Sequence, residues 1–362
     1  MKSSSLNSST FSICIPTYNR LEYLKKLVRQ IIGFVENDQL NLEICISDNC
    51  STDGTWEYIQ LIAEKYSQFK IYRQENNIGA NRNLVFITSM ATSEWMMVMG
   101  DDDCFVPDGL NDLLCALPEL QNYDYILLNS TNNDGTNLID LPNGHNSMAS
   151  VKSSLKRSIW EYGFCGIHVF RPSIALHMRS RDFEQIRPWP SFGTFTYHLS
   201  CNDFFFFSKP VVLQDGNGEA LSWQPHDWLH LVIRQLLVFQ INIQGRNEKL
   251  RAVSNDIVHS NLWSLRFLLT FYKSLLYMPN TTKNILDAKE YRHLNILTSS
   301  LSIKLHSIAY KCLSSIPLSF HFLLVKLFAK KDINSYKFTE EIDEKDGVNR
   351  MLDIYEDVTH DK

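Results

Sequence analysis

Residues 94–103 read Glu-Trp-Met-Met-Val-Met-Gly-Asp-Asp-Asp, an apolar run that ends in three consecutive carboxylates. Adjacent carboxylates repel one another unless a cation neutralises them, and a hard divalent ion shared with phosphate oxygens supplies that charge. The competing reading is a solvated acidic turn ahead of Pro107. Residues 95–99 are apolar without alternation, as in a strand covered on both faces of a parallel sheet. Gly100 breaks the run, so Asp101, Asp102 and Asp103 fall at the strand's carboxyl end, where open α/β sheets bind their ligands.

Three upstream units must position this cluster. Residues 11–15 form an apolar run stopped by Pro16, and Leu21, Leu24, Leu27, Val28, Ile31 and Ile32 follow at helical spacing. The loop between them, Pro16-Thr17-Tyr18-Asn19-Arg20, offers a ring, hydroxyls, a helix cap in Asn19 and a guanidinium where a nucleotide could lie. A second strand, 42–47, ends at Asp48, which is placed to accept hydrogen bonds from a base or ribose. Asp53 reads as the cap of the next helix. A third strand, 70–74, precedes Gly79, a position that suggests positive φ. Arg82 lies one turn into the following helix, where it could meet phosphate. Three successive βα units ahead of the 95–99 strand predict right-handed crossovers and a parallel sheet.

In this order and spacing, Ile-Cys-Ile-Pro-Thr-Tyr-Asn-Arg, Ser-Asp-Asn-Cys-Ser-Thr-Asp-Gly-Thr, Asn-Asn-Ile-Gly-Ala-Asn-Arg-Asn and Met-Gly-Asp-Asp-Asp resemble the family 2 glycosyltransferases. Within that family the chain most resembles bacterial O-antigen transferases of the abequosyltransferase type. The resemblance implies an α/β fold of GT-A type, Rossmann-like with a mostly parallel sheet flanked by helices, and an inverting reaction that uses a nucleotide sugar with Mg2+ or Mn2+. It also implies that Pro16, Thr17, Tyr18, Arg20, Asp48, Arg82 and Asp101 line the nucleotide pocket. Asp102 and Asp103 would hold the metal, with His226, after the core, as a further ligand. Gly100 stands where many members place the first aspartate of an Asp-X-Asp motif.

An inverting transferase needs a base to deprotonate the acceptor hydroxyl. The acidic pair that the family usually supplies is missing here, which leaves His198, Asp203 and Asp227 as candidates, with Asp182 or Glu184 as alternatives.

Between these landmarks, helix is expected at 110–117, strand at 125–128, a polar loop at 129–146, a strand-like run at 163–170 and a last core strand at 210–213. A Gly-rich loop follows at 214–224, and His226-Asp227-Trp228 then opens a helix. The expected organisation is a catalytic domain at 10–225, a helical region at 226–331 and an acidic tail at 332–362. Residues 291–331 carry six Lys or Arg and no Asp or Glu among Leu, Ile and Phe, whereas the tail has ten acids against four bases. A basic amphipathic stretch of this kind reads either as a membrane-surface segment or as a bundle helix pair with a solvated face.

The 362 residues suffice for a large core, and 44% hydrophobic with 21% charged residues is ordinary for a globular protein. A net charge of −5 gives no reason to expect nucleic acid. The Ser-rich start shows no secretory signal, the eight scattered cysteines suit reduced thiols, and no apolar run is long enough to span a bilayer. The expectation is therefore a cytoplasmic protein, peripheral at the inner membrane face. Its partners would be a nucleotide-sugar donor and a polyprenyl-linked oligosaccharide acceptor. Two alternatives stand beside this reading: a sugar nucleotidyltransferase, whose usual Gly-rich basic loop is absent after the first strand, and a sugar-binding module with a decayed site.

Overall fold

The computed structural model describes residues 11–36, 40–178, 190–214, 235–236, 238–243 and 247–262. The chain divides into two compact units, one of Met1–Ser154 and Trp160–Asn217, the other of Leu155–Ile159 and Gly218–Lys362.

The first unit is built on one mixed sheet. Its strands are β1 (Phe11–Thr17), β2 (Leu42–Asp48), β3 (Phe69–Arg73), β4 (Trp95–Val98), β5 (Cys104–Phe105), β6 (Tyr125–Asn132), β7 (Gly144–Asn146), β8 (His168–Phe170) and β9 (Phe204–Gln214). They lie in the order β3-β2-β1-β4-β8-β6-β9-β5, with β7 beside β9. Helices α1 (Leu21–Glu36), α2 (Thr55–Lys65) and α3 (Ala80–Ile87) connect the first four strands, and the pairings among these four are parallel, as the alternation of strand and helix predicts. The central strands β1, β2 and β4 are buried on both faces; β4 is apolar throughout, whereas β1 and β2 also bury polar side chains, among them Ser12 and Glu43, which bond one another.

The second half departs from simple alternation. Helices α4 (Gly109–Ala116), α5 (Met148–Arg157), α6 (Pro172–Met178) and α7 (Pro190–Leu199) intervene, and β8 runs antiparallel between β4 and β6. The run at 163–170 is mostly two 3-10 turns, Trp160–Gly163 and Cys165–Ile167, with only three residues of strand. Strand β6 continues to Asn132 through residues expected to be loop. The Asn129 amide explains this, donating to the Ile139 and Ser208 carbonyls while its oxygen accepts from Ile139 and Ser130, so a polar side chain replaces ladder bonds where the register shifts. Strand β9 begins at Phe204, six residues before the expected start, because its four phenylalanines alternate on a pleat, with Phe204 and Phe206 buried in the core.

In the second unit the described residues are 155–159, 235–236, 238–243 and 247–262, the last stretch containing helix α8 (Arg251–Leu262). Asn261 ties this helix to residues 155–159, donating to the Leu155 carbonyl at 2.6 Å and accepting from the Ile159 N–H at 3.0 Å. Among the described residues, no helix is long and apolar enough to cross a membrane. The expectations for Asp182, Glu184, His226, Asp227, the 214–224 loop and the 291–331 and 332–362 segments fall outside the described residues, apart from Gln214 at the end of β9.

Candidate active site

Sheet register brings the expected residues to one edge. Thr17 pairs with Asp48, and Cys14 pairs with Val98, so Asp101, three residues past Val98, comes level with Thr17. The Thr17 hydroxyl donates to Asp101 Oδ2 at 2.7 Å. Pro16 lies beyond the last β1–β4 pair, so its missing N–H costs no bond to β4.

The loop after β1 is pinned to the loop after β2. Asn19 has φ of 51°, a left-handed conformation that asparagine tolerates. Its N–H donates to Ser51 Oγ, and its side-chain oxygen accepts from the Thr52 N–H, both at 2.8 Å. Asn19 is thus a clasp and does not cap α1. The carboxylate of Asp53 takes that place, accepting from the Leu21 N–H at 3.1 Å while its other oxygen accepts from the Thr55 N–H and hydroxyl. One aspartate therefore serves the first residues of two helices.

Asp48 is fully buried. Its oxygens accept from the Ser51 N–H at 3.2 and 3.1 Å, and the Arg73 guanidinium lies 3.5 Å away. Asp48 therefore shapes the loop bordering the pocket, holding the Ser51 N–H and facing the Arg73 guanidinium. Tyr18, by contrast, is 42% exposed at the strand end. Arg82 is exposed in the first turn of α3. Gly79 ahead of it has φ of 87° and ψ of 152°, open almost only to glycine.

Sequence reasoning missed a polar network behind this edge. Asn83 donates to the Ser47 carbonyl at 2.9 Å and accepts from the Ser47 hydroxyl at 2.6 Å, while Asn49 accepts from the Ile78 N–H and donates to Asn77. The density of asparagine at 76–83 was the available signal.

The three carboxylates differ in environment. Arg20 donates to Asp102 and lies 3.5 Å from Asp101. Burial pushes the Asp101 carboxyl up to about 7, against the pull of Arg20 and Thr17. Burial, then the charges of Asp102 and Asp101, hold Asp103 well above the usual carboxylate range. A carboxylate in that position calls for a cation.

The residues fit one. A Cβ built on Gly100 would meet Asp103 Oδ2 at 2.5 Å and Asp102 Oδ1 at 3.0 Å, so two hard oxygen donors converge over a cradle that any side chain would fill. Two carboxylates, with water and diphosphate oxygens completing the shell, match how Mg2+ and Mn2+ are held. Among the described residues no third His, Cys, Asp or Glu completes an all-protein cage.

The proposed bases do not join this group. Met96 pairs with Phe170 and Phe170 with Tyr125, which sets Tyr125 level with Met96, roughly 16 Å of strand before Asp101. His198 stacks on Tyr125 at 5.1 Å, and one ring nitrogen bonds the Asp203 carbonyl at 3.0 Å. Burial lowers its pKa, so it is a neutral core residue. Asp203 stands two residues before Phe205, the partner of Ile126, and its carboxylate faces His145 at 3.2 Å. Both therefore lie at the sheet edge opposite the carboxylates, which corrects their assignment as catalytic.

A family model described as glycosyl transferase family 2 matches residues 12–180. The abequosyltransferase RfbV of Salmonella typhimurium is 39% identical over 145 residues, 40% of this chain and 42% of that protein, so the match spans less than half of that relative's length. S. aureus TarS 1-349, solved in complex with UDP, superposes with a TM-score of 0.56 at 15% identity, covering 92% of this chain and 94% of that one. The mannosyltransferase PcManGT from Pyrobaculum calidifontis, in complex with GDP-Man and Mn2+, gives 0.50 at 12% identity over 89% and 88%. At those identities the likeness is one of fold, a GT-A-like mixed sheet flanked by helices.

Proposed function

Because a family model described as glycosyl transferase family 2 matches residues 12–180, we propose that this chain is a metal-dependent, inverting glycosyltransferase. It moves a sugar from a nucleotide donor to a hydroxyl of a lipid-linked bacterial glycan such as an O-antigen. The observation that carries this reading is the convergence of Thr17, Arg20, Asp101, Asp102 and Asp103 at one sheet edge. The TarS–UDP and PcManGT–GDP-Man–Mn2+ complexes support a nucleotide-sugar donor and a divalent ion on this fold.

Asp102 and Asp103 would hold the ion, with His226 as the further candidate. When bound, the ion supplies Lewis-acid stabilisation of the diphosphate leaving group. The chain's own side chains do the rest. Tyr18 offers an exposed face for a base, Asp101 approaches the ribose with its carboxylate oriented by the Thr17 hydroxyl, and Arg20 meets diphosphate charge with a guanidinium fork. Deprotonation of the acceptor falls to Asp182 or Glu184, which precede α7 in the chain, or to Asp227.

The test is to screen UDP-, GDP-, CDP- and dTDP-sugars for Mn2+-dependent thermal stabilisation and then for transfer, comparing wild type with Asp102→Asn. A bound donor raises stability by mass action, and the variant should lose metal-dependent turnover while keeping its fold. Wild-type turnover by Asp102→Asn at limiting Mn2+ would remove Asp102 from the metal site.

A further inference from the structure

Arg20 stands where the carboxylate cluster needs positive charge. Its guanidinium donates to Asp102, lies 3.5 Å from Asp101 and sits 5.7 Å from the Tyr23 ring. The Arg20 and Asp102 side chains are 34% and 35% exposed, so the pair is at the mouth of the cluster, where partners can exchange. The backbone beneath is fixed, since Asn19 is clasped by Ser51 and Thr52, and Leu21 is held by Asp53. Only the side chain is free to swing.

A guanidinium cannot be titrated away at any working pH, so it competes with a metal for Asp102 under all conditions. Two cations on one carboxylate repel each other strongly in a partly buried setting. A diphosphate alters this balance by offering the guanidinium a bidentate anionic partner of its own.

We infer that Arg20 is an internal counter-ion: it keeps Asp102 from a divalent metal until a nucleoside diphosphate draws the guanidinium away, and so couples metal binding to donor binding. This rests on the nucleotide-sugar reading above. Such coupling is reciprocal, because whatever factor the nucleotide adds to metal affinity, the metal adds to nucleotide affinity.

The test uses the full chain and measures Mn2+ affinity by electron paramagnetic resonance of the free ion. Titrations are run alone and with saturating UDP, GDP, CDP or dTDP, corrected for metal held by free nucleotide. Wild type should bind Mn2+ weakly alone and on the order of tenfold more tightly with one of the nucleotides. Arg20→Gln should bind Mn2+ on the order of tenfold more tightly than wild type without nucleotide, and the nucleotide's enhancement should shrink toward unity. Arg20→Lys, which keeps the charge, should retain the suppression, and Asp102→Asn should lose binding throughout. If wild type responds to a nucleotide but Arg20→Gln alone binds Mn2+ no more tightly, the inference is overturned and the functional reading stands. If no chain binds Mn2+ with any of the four nucleotides, both are overturned.

Discussion

Thr17 and Asp101 lie 84 residues apart in sequence and share a 2.7 Å hydrogen bond across the carboxyl ends of β1 and β4. Both are almost fully buried. Thr17→Val keeps the shape and removes the donor, leaving Asp101 short of one partner, a loss of about 1–3 kcal/mol in transition-state or ground-state binding. The expected result is a fall in kcat/KM of roughly tenfold or more, with a cooperative unfolding transition preserved. An unchanged kcat/KM would show that Asp101 needs no orientation from Thr17.

The positions of His198 and Asp203 separate core residues from catalytic ones. Among Asp182→Asn, Glu184→Gln and Asp227→Asn, one should depress kcat by ~10²-fold or more while sparing nucleotide binding. His198→Gln and Asp203→Asn should leave kcat within a few-fold, the former lowering stability because His198 is stacked in the core. A large kcat loss in Asp203→Asn with normal stability would reverse the assignment.

Stability should fall below neutral pH because of His168. This residue is fully buried, with one ring nitrogen against the Tyr125 hydroxyl at 2.7 Å and the other against the Tyr162 carbonyl at 2.9 Å, and burial lowers its pKa from 6.5 to about 3. The unfolded chain takes up a proton below pH 6.5 that the folded chain refuses, so stability drops as pH falls from 6.5 toward 3, by up to ~1 kcal/mol per unit. His168→Gln, which can keep both hydrogen bonds, should flatten that slope in denaturant titrations between pH 7 and 5. Equal slopes in the two proteins would assign the effect to other groups.

A second acid-sensitive group is Glu43, whose carboxylate accepts from Ser12, Lys70 and Thr92 and is held at about 2. Its folded pKa lies below the ordinary 4.5, so its stabilisation is complete above 4.5 and is lost as pH falls toward 2. Glu43→Gln should be least stable relative to wild type near neutrality, with the gap narrowing below pH 4.5. A gap independent of pH would mean that charge contributes nothing.

Residues 291–331 are expected to hold the protein at an anionic membrane surface, each of Arg292, Lys304, Lys311, Lys326, Lys330 and Lys331 adding about 1 kcal/mol. Sedimentation with anionic liposomes should pellet the full chain at low salt and release it at high salt, unlike a chain ending near residue 290. Equal, negligible pelleting of both would end this proposal.

The first half of the sheet was legible because β1, β2 and β4 are buried on both faces and are rich in apolar residues, with turn chemistry between them. Composition alone could not reveal that Thr17 meets Asp101, because this depends on Cys14 pairing with Val98. The error over His198 and Asp203 has one source. Placing the last strand at 210–213 left residue 203 in a connection that could lie near the site. The phenylalanines at 204–207 in fact start that strand at the opposite edge. Asp53 kept its expected place at the start of α2 and also took the one expected of Asn19 at α1, because a cap is chosen by the geometry of two loops, and a sequence shows only one at a time.

Gly100 sets the seat of the Asp103 carboxylate. The space that a side chain at 100 would occupy is the space taken by the Asp103 carboxylate, with an approach of 2.5 Å. Gly100→Asp would therefore not add a fourth acid to a working trio. It would displace the Asp103 carboxylate, the movable end of that side chain, from its present seat. A carboxylate at position 100 and the one at 103 therefore compete for a single place beside Asp102.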